Sequence, residues 1–267
     1  MNSPIITLLT DFGLSDHYVA AMKGVMLGIC PRARLFDISH EITPYAIPEA
    51  AYTLAQAWRY FPRGTIHVAV VDPGVGSARR AIVAEVGGHR FVAPDNGLLS
   101  MILASRPRAK LREITATRYF RHPVSSTFHG RDVFAPVAAH LSFGLATSKL
   151  GKLIHNPILG DFAAPTQLTE SRFIGAVLKV DRFGNVVTNF DFASFSRIAT
   201  ARFRLKAGPR TITRFHSTYA DAPNGEIFAL KGSSGYVEIS INQSSAASRT
   251  GLSAGAKIDL ILPVPNS

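Results

Sequence analysis

Asp72 and Arg79 bracket a Pro-Gly turn in VVDPGVGSARR (70–80), at the end of an apolar run. A tight turn there folds Arg79 back toward Asp72 and sets a charge pair at the mouth of a sheet. The stretch is not a phosphate cradle. A Walker loop needs GxxxxGK[ST] and no lysine follows Gly76; a dinucleotide fingerprint needs GxGxxG, and Arg79 takes the place of the third glycine. What remains is either a loop-stapling salt bridge or an acid and a base offered to some other substrate. A second polar run, SSTFHGRDVF (125–134), sets His129 at the entrance of a helical pattern, with Asp132 placed to cap that helix or to pair with Arg131.

Other chemistries lack their patterns. His40, Asp37, Asp95, His129 and Asp132 are metal donors by type, but no HExxH, HxH or paired-cysteine spacing connects them, so no metal is expected. A serine-hydrolase elbow GxSxG is absent. The lone Cys30 lies in the apolar run GVMLGIC and reads as a small buried hydrophobe. The formal charge of +11 is spread singly or in pairs, mildly enriched only over 106–121 and without an aromatic series beside it, so specific nucleic-acid binding is not expected. MNSP has no basic lead, and the apolar run that follows stops at Asp11, which reads as a strand and not a signal peptide. No stretch reaches the about 20 apolar residues that span a bilayer, so a cytoplasmic location and no membrane partner are expected.

The elements that must position these residues change character along the chain. Apolar runs at 5–10, 34–38 and 65–71 alternate with helical patterns at 18–29 and 48–60, and a hairpin is expected over 82–86 and 90–93 around Gly87-Gly88. Helices at 98–104 and 133–141 complete the layers. The expected fold class is α/β: an N-terminal, mainly parallel α/β sandwich domain over 1–160. Residues 160–166 read as a linker, and β-patterned runs at 173–180, 186–189, 201–205, 211–215, 226–230, 236–241 and 258–262 point to a smaller, barrel-like all-β domain over 168–267.

Blocks TDFGLSD (10–16), DISHEI (37–42), VAVVDPGVGSARR (68–80), PDNGLL (94–99), STFHGRDVFAPVAAHL (126–141), DRFGNVVTNF (181–190) and SSGYVEISINQSSAA (233–247) follow in that order. Together they resemble the S-adenosyl-L-methionine hydroxide adenosyltransferases, hydrolytic relatives of fluorinating and chlorinating enzymes. The resemblance implies attack of water-derived hydroxide on ribose C5′ of S-adenosylmethionine, giving adenosine and methionine with no cofactor. It places the catalytic set on Asp72, Arg79 and His129, with His129 or Asp72 taking the proton. It also places Asp11 at the ribose hydroxyls, Asp16 and Asp181 near the methionine ammonium, and Ser233 near its carboxylate, with Asn185 at the adenine and Asn242 in the adjoining segment. A homotrimer with sites at subunit interfaces is implied as well. The resemblance leaves two rival functions, a halide-dependent 5′-halogenase and a protein that holds S-adenosylmethionine or adenosine without consuming it. Halogenases of this type lack the arginine and histidine of the water-activating set.

Overall fold

Ile5–Thr10 (β1) is buried on both faces, as a strand in the middle of a covered parallel sheet must be. The computed structural model describes residues 3–105 and 108–264, so Arg106 of the basic stretch lies outside the described residues. Two compact units divide the chain between Gly160 and Asp161.

In the first unit β1 is flanked in parallel by Arg34–Ser39 (β2) and Ile66–Val70 (β3). Helix α1 (Tyr18–Ile29) leads from β1 to β2, and α2 (Ile47–Ala57) returns the chain to β3 on the other side of β1. Ala81–Val86 (β4) and His89–Pro94 (β5) form the expected hairpin. Gly87 and Gly88 both have positive φ, 59° and 86°, in a two-residue turn between the strands. Such a turn matches the right-handed twist of its flanking strands. With Lys110–Glu113 (β6) and Leu153–Ile154 (β7) the sheet order becomes β2-β1-β3-β5-β4-β6-β7, a parallel half extended by antiparallel strands. Strands β6 and β7 escape a periodicity reading because KLRE buries only Leu111 and β7 is two residues long.

The layers follow from strand alternation. Ile6, Leu8, Ile66, Val68 and Val70 share one core with Met22 and Met26 of α1 and with Val137, Ala138 and Leu141 of helix α4 (Ala135–Ser142). Cys30 is buried in that core. Helix α3 (Ser100–Ala104) packs with α2. The pattern expected over 48–60 is α-helical only to Ala57 and tightens into a 3₁₀ turn over Trp58–Tyr60.

The second unit is antiparallel. Its strands are Thr166–Thr169 (β8), Arg172–Val180 (β9), Val186–Asp191 (β10), Arg204–Ala207 (β11), Arg210–Ile212 (β12), Ile227–Lys231 (β13), Tyr236–Ile241 (β14) and Lys257–Ile261 (β15). The order β12-β11-β15-β9-β10-β14-β13 almost closes on itself. Chain just past β12 pairs with β13, His216 N–H donating to Ala229 O and Ala229 N–H to Arg214 O. A short helix α5 (Ala246–Thr250) covers one end. The stretch expected as a linker is packed structure: Phe162 is buried in a 3₁₀ turn and its carbonyl accepts from Asn189 Nδ2 at 3.1 Å. The strand expected over 201–205 sits at Arg204–Ala207, where Leu205 and Ala207 alternate inward.

One buried polar chain lies across the first sheet. Thr7 Oγ1 meets His67 Nδ1 at 2.7 Å and His67 Nε2 meets His89 Nδ1 at 3.2 Å, with Phe91 stacked on the His67 ring. Burial, then the neighbouring His89, pull the His67 imidazole down to about 3. Its folded pKa is depressed, so the unfolded chain takes up this proton first as pH falls. Stability held above pH 6.5 is therefore lost progressively between about 6.5 and 3, on the order of 4 kcal/mol for this single group. Chemical denaturation from pH 7 to 4 is expected to show most of that loss, and His67→Gln is expected to flatten its slope.

Candidate active site

Register puts the first two acids side by side. Thr10 pairs with Val70 across β1 and β3, so Asp11 and Asp72 leave the sheet together at its carboxyl edge. The chain goes from β1 to β2 on one side and to β3 on the other, which opens a crevice between the ends of β1 and β3 where ligands of open α/β sheets bind. A cavity of about 580 Å3 lies there, lined among others by Asp11, Asp72, His129 and the aromatic side chains Phe12, Tyr18 and Phe128. Tyr18 and Phe12 meet Phe128 edge-on at 5.0 and 5.9 Å, giving the cavity one rigid apolar wall.

Arg79 joins the pieces. Its Nε lies 3.0 Å from each oxygen of Asp72, and its Nη2 bonds Asp72 Oδ2 and donates to His129 Nδ1 at 2.8 Å. Asp72 and Arg79 are almost wholly buried, with side-chain exposures of 4% and 10%. Phe134 closes the far side, 5.2 Å below the guanidinium. A guanidinium has donors only, so His129 Nδ1 accepts, and the network assigns the ring hydrogen to Nε2. Burial, then Arg79, pull the His129 imidazole below its ordinary value, so the ring is neutral around pH 7.

Local structure explains why the sequence can hold this. The 72–79 loop is a run of turns, with Val75 N–H donating to Asp72 O and Ser77 N–H to Gly74 O. Gly76 has φ +78°, and a Cβ there would stand 2.3 Å from Ser126 O. Only glycine meets both conditions without strain. The loop therefore rests directly on the segment that carries His129. That segment is anchored by Asp132, whose carboxylate takes Arg131 Nε at 2.7 Å, Ser125 N–H at 2.9 Å and Arg121 Nη1 at 3.2 Å. Burial works to raise Asp132, but these donors outweigh it and hold the group below the carboxylate range. Just after His129 comes a π-helical turn, Gly130–Phe134, which re-aims the chain into α4.

Asp11 is reached by one backbone donor, Tyr45 N–H at 2.9 Å. Tyr45 has φ +67°, and its ring is exposed at the cavity wall. Bulky side chains avoid that conformation. Burial raises the Asp11 carboxyl, the Tyr45 donor works against this, and the charge of Asp72 adds to the rise. Asp16 is exposed and lies outside the lining of this cavity, although its neighbours His17 and Tyr18 belong to it. The other metal-type donors are engaged elsewhere: Asp37 with Lys23 at 2.7 Å, His40 with Thr10, and Asp95 with Arg80. Among the described residues no group of three or more His, Cys, Asp and Glu side chains is placed to hold a metal ion.

The second unit has its own cavity, of about 730 Å3, which brings Asp181, Asn185 and Ser233 together. Asp181 organises the β9–β10 turn, Oδ1 accepting from Phe183 and Asn185 N–H and Oδ2 from Asn185 Nδ2, each at 2.9 Å. Asn242 does not line it; its amide donates to Ala222 O at 3.4 Å while Ile241 and Gln243 face the cavity. Sequence reasoning gave no role to several other lining residues, among them Phe183, Tyr219 and Glu238. Phe183 is 79% exposed despite being aromatic. Glu238 is buried, burial raises its carboxyl, and Tyr219 OH donates to it at 3.2 Å while itself being pushed up to about 12. An acid within the apolar strand pattern of YVEISI was the available signal.

Residues 6–151 match the SAM hydroxide adenosyltransferase N-terminal domain and residues 175–259 the corresponding C-terminal domain. The chain belongs to the SAM hydroxide adenosyltransferase family. Among its relatives in this family, the (R)-S-adenosyl-L-methionine hydrolase of Thermus thermophilus is 39% identical over 263 residues, covering 96% of this chain and 99% of the relative. The protein of that name from Methanocaldococcus jannaschii is 40% identical over 250 residues, covering 88% of each. A fluorinase from an Actinoplanes species is more distant, 26% identical over 288 residues and 96% of this chain. A crystal structure of a conserved protein from Thermotoga maritima superposes with a TM-score of 0.83 at 36% identity, covering 96% of this chain and 99% of that one.

Gly76→Ala is expected to lower stability by roughly 1–3 kcal/mol, because the turn is strained and Ser126 must move. As Arg79 loosens, the His129 imidazole should rise toward its ordinary value. Denaturation together with NMR titration of His129 checks both; an unchanged His129 titration would show that the loop does not set the Arg79 contact.

Proposed function

We propose that this protein hydrolyses S-adenosyl-L-methionine to adenosine and L-methionine, water attacking ribose C5′ at the carboxyl edge of the first unit. The observation that carries this reading is the joined Asp72, Arg79 and His129 set at the edge of the cavity. The sulfonium leaves as a neutral thioether and needs no acid to protonate it. The demand falls on the nucleophile, a water that must be held in line and must lose a proton as the C–O bond forms.

The tautomer divides these tasks. His129 has Nδ1 filled by Arg79 and a hydrogen on Nε2, so in this state it donates to the water oxygen and positions it. Asp72 then accepts the proton. A carboxylate paired with arginine is a weak base, but the oxygen joined to C5′ before proton loss is an oxonium far more acidic than any carboxylic acid, and a weak base suffices. Arg79 holds both partners in orientation, fixing the carboxylate that takes the proton and the imidazole that positions the water. Asp11, with one oxygen taking a backbone N–H, is placed to accept the two ribose hydroxyls.

In the second unit, Asp181 and Glu238 face a cavity among whose lining residues there is no lysine or arginine, which suits the positive sulfonium and ammonium of the substrate. Asn185 and Ser233 supply neutral hydrogen-bonding groups beside them. Asp16 and Asn242 are assigned to the same substrate, as parts of the loops next to the lining. A homotrimer, with substrate held at subunit interfaces, and the absence of any cofactor complete the proposal. Among the described residues, no helix is long and apolar enough to cross a membrane; a cytoplasmic location is proposed.

Incubation with S-adenosyl-L-methionine is expected to release equal amounts of adenosine and methionine, unaffected by chloride, with ¹⁸O in the adenosine when labelled water is used. A 5′-halogenated nucleoside would reassign the protein to the halogenases, and tight binding without product would leave it a ligand-holding protein. Arg79→Ala and His129→Ala are each expected to lower kcat/KM by about 10²–10⁴-fold. Because the folded His129 pKa is depressed, kcat/KM should hold from neutral pH down to about 6.5 and fall only below it. An acid limb centred above 6.5 would contradict the assigned tautomer.

A further inference from the structure

The PDNGLL block (94–99) contributes nothing to the lining of either cavity, yet two of its residues grip both ends of the loop that carries Asp72 and Arg79. Asn96 Nδ2 donates to Val71 O at 2.9 Å, directly before Asp72, while its Oδ1 accepts Leu98 N–H at 3.2 Å. Asp95 works at the other end. Its backbone N–H donates to Arg80 O at 2.9 Å, and its Oδ2 accepts Arg80 Nε at 2.8 Å. The Asp95 side chain is 1% exposed, and its second oxygen accepts Ile158 N–H at 2.9 Å. The rest of the Arg80 fork is occupied too, Nη1 on Asn156 Oδ1 at 3.0 Å and Nη2 on Asn156 O at 2.7 Å.

We infer that Asp95 and Asn96 are positioning residues for the Asp72–Arg79–His129 set, acting through the two ends of the 72–79 loop. The geometry makes this more than local stapling. The loop between Val71 and Arg80 holds both members of the ion pair, and its middle presses on Ser126 next to the His129 segment. Within the loop the hydrogen bonds are short-range turns, which set its shape but not its place on the sheet. Its place is set where the chain enters and leaves it, and at both points consecutive residues at the end of β5 make the bond. Displacing either end by a fraction of an ångström moves the guanidinium relative to His129 Nδ1, and in a positioned reaction such shifts are costly.

The catalytic consequence rests on the hydrolase reading; the pinning itself does not. The test is Asn96→Asp, which keeps the acceptor for Leu98 N–H and replaces the donor to Val71 O with a carboxylate oxygen. The expected result is a fall in kcat of tenfold or more with KM for S-adenosylmethionine within about threefold, since Asn96 lies outside the lining. Hydrogen exchange should quicken in the peptide covering 72–80 and stay unchanged in β1 and β3. In an Arg79→Lys background the Asn96→Asp loss should shrink markedly, because the two act on one contact. Arg80→Lys, which keeps the charge but loses the fork, is the second variant, expected to show the same exchange change and a smaller fall in kcat. Folded Asn96→Asp with kcat within twofold of wild type, a loss fully additive with Arg79→Lys, or unchanged exchange over 72–80 would each overturn the inference. A wild-type protein without turnover would count against the hydrolase reading alone, and exchange would then decide the pinning.

Discussion

A single guanidinium organises the chemistry of the first unit. Arg79 touches Asp72 within its own loop and His129, fifty residues further on, with one rigid planar group. A lysine has no second arm for this. With the arginine in place, the carboxylate is fixed in orientation, the imidazole is neutral, and its hydrogen sits on Nε2. Much of the surrounding structure serves that contact: Phe134 beneath the guanidinium, Gly76 allowing the loop to lie on Ser126, and Asp132 gathering the chain around His129.

The two acids at the sheet edge depend on a different constraint. Asp11 and Asp72 are neighbours because β1 and β3 are hydrogen-bonded with Thr10 opposite Val70, and a one-residue slip of either strand would turn that strand's side chains to the wrong layer. Burial raises the Asp11 carboxyl, and the charge of Asp72 adds a smaller push in the same direction. Arg79 neutralises one of them and the Tyr45 N–H supports the other, with backbone strain at Tyr45 as the cost of the donor it presents.

The second unit solves a related problem with neutral groups. Asp181 uses its hydrogen-bonding capacity on its own turn, which makes that turn rigid and fixes Asn185 beside it. Glu238 is held by a tyrosine rather than a cation, so its charge is only weakly answered. A cavity with two carboxylates in its lining and no basic side chain there favours a positively charged guest.

Much of this was legible in the chain. Continuous apolar runs marked β1 and β3, a helical pattern marked α1, and two short runs around Gly87-Gly88 marked the hairpin, because burial on a regular element leaves a regular trace. The Asp72–Arg79 pair followed from a Pro-Gly turn between opposite charges, and Asp11, His129, Asp181 and Asn185 stood in blocks that carry the family resemblance. Strands β6, β7 and β8 left no trace, since a strand that buries at most one side chain has no period to show. Only the tertiary structure decided that Arg79 reaches His129, that Asp95 and Asn96 hold the loop ends, and that Tyr219 and Glu238 share a cavity with Asn185. Local sequence sets turns, helices and charges; contacts between residues tens of positions apart are set by strand register and packing, which no short window contains.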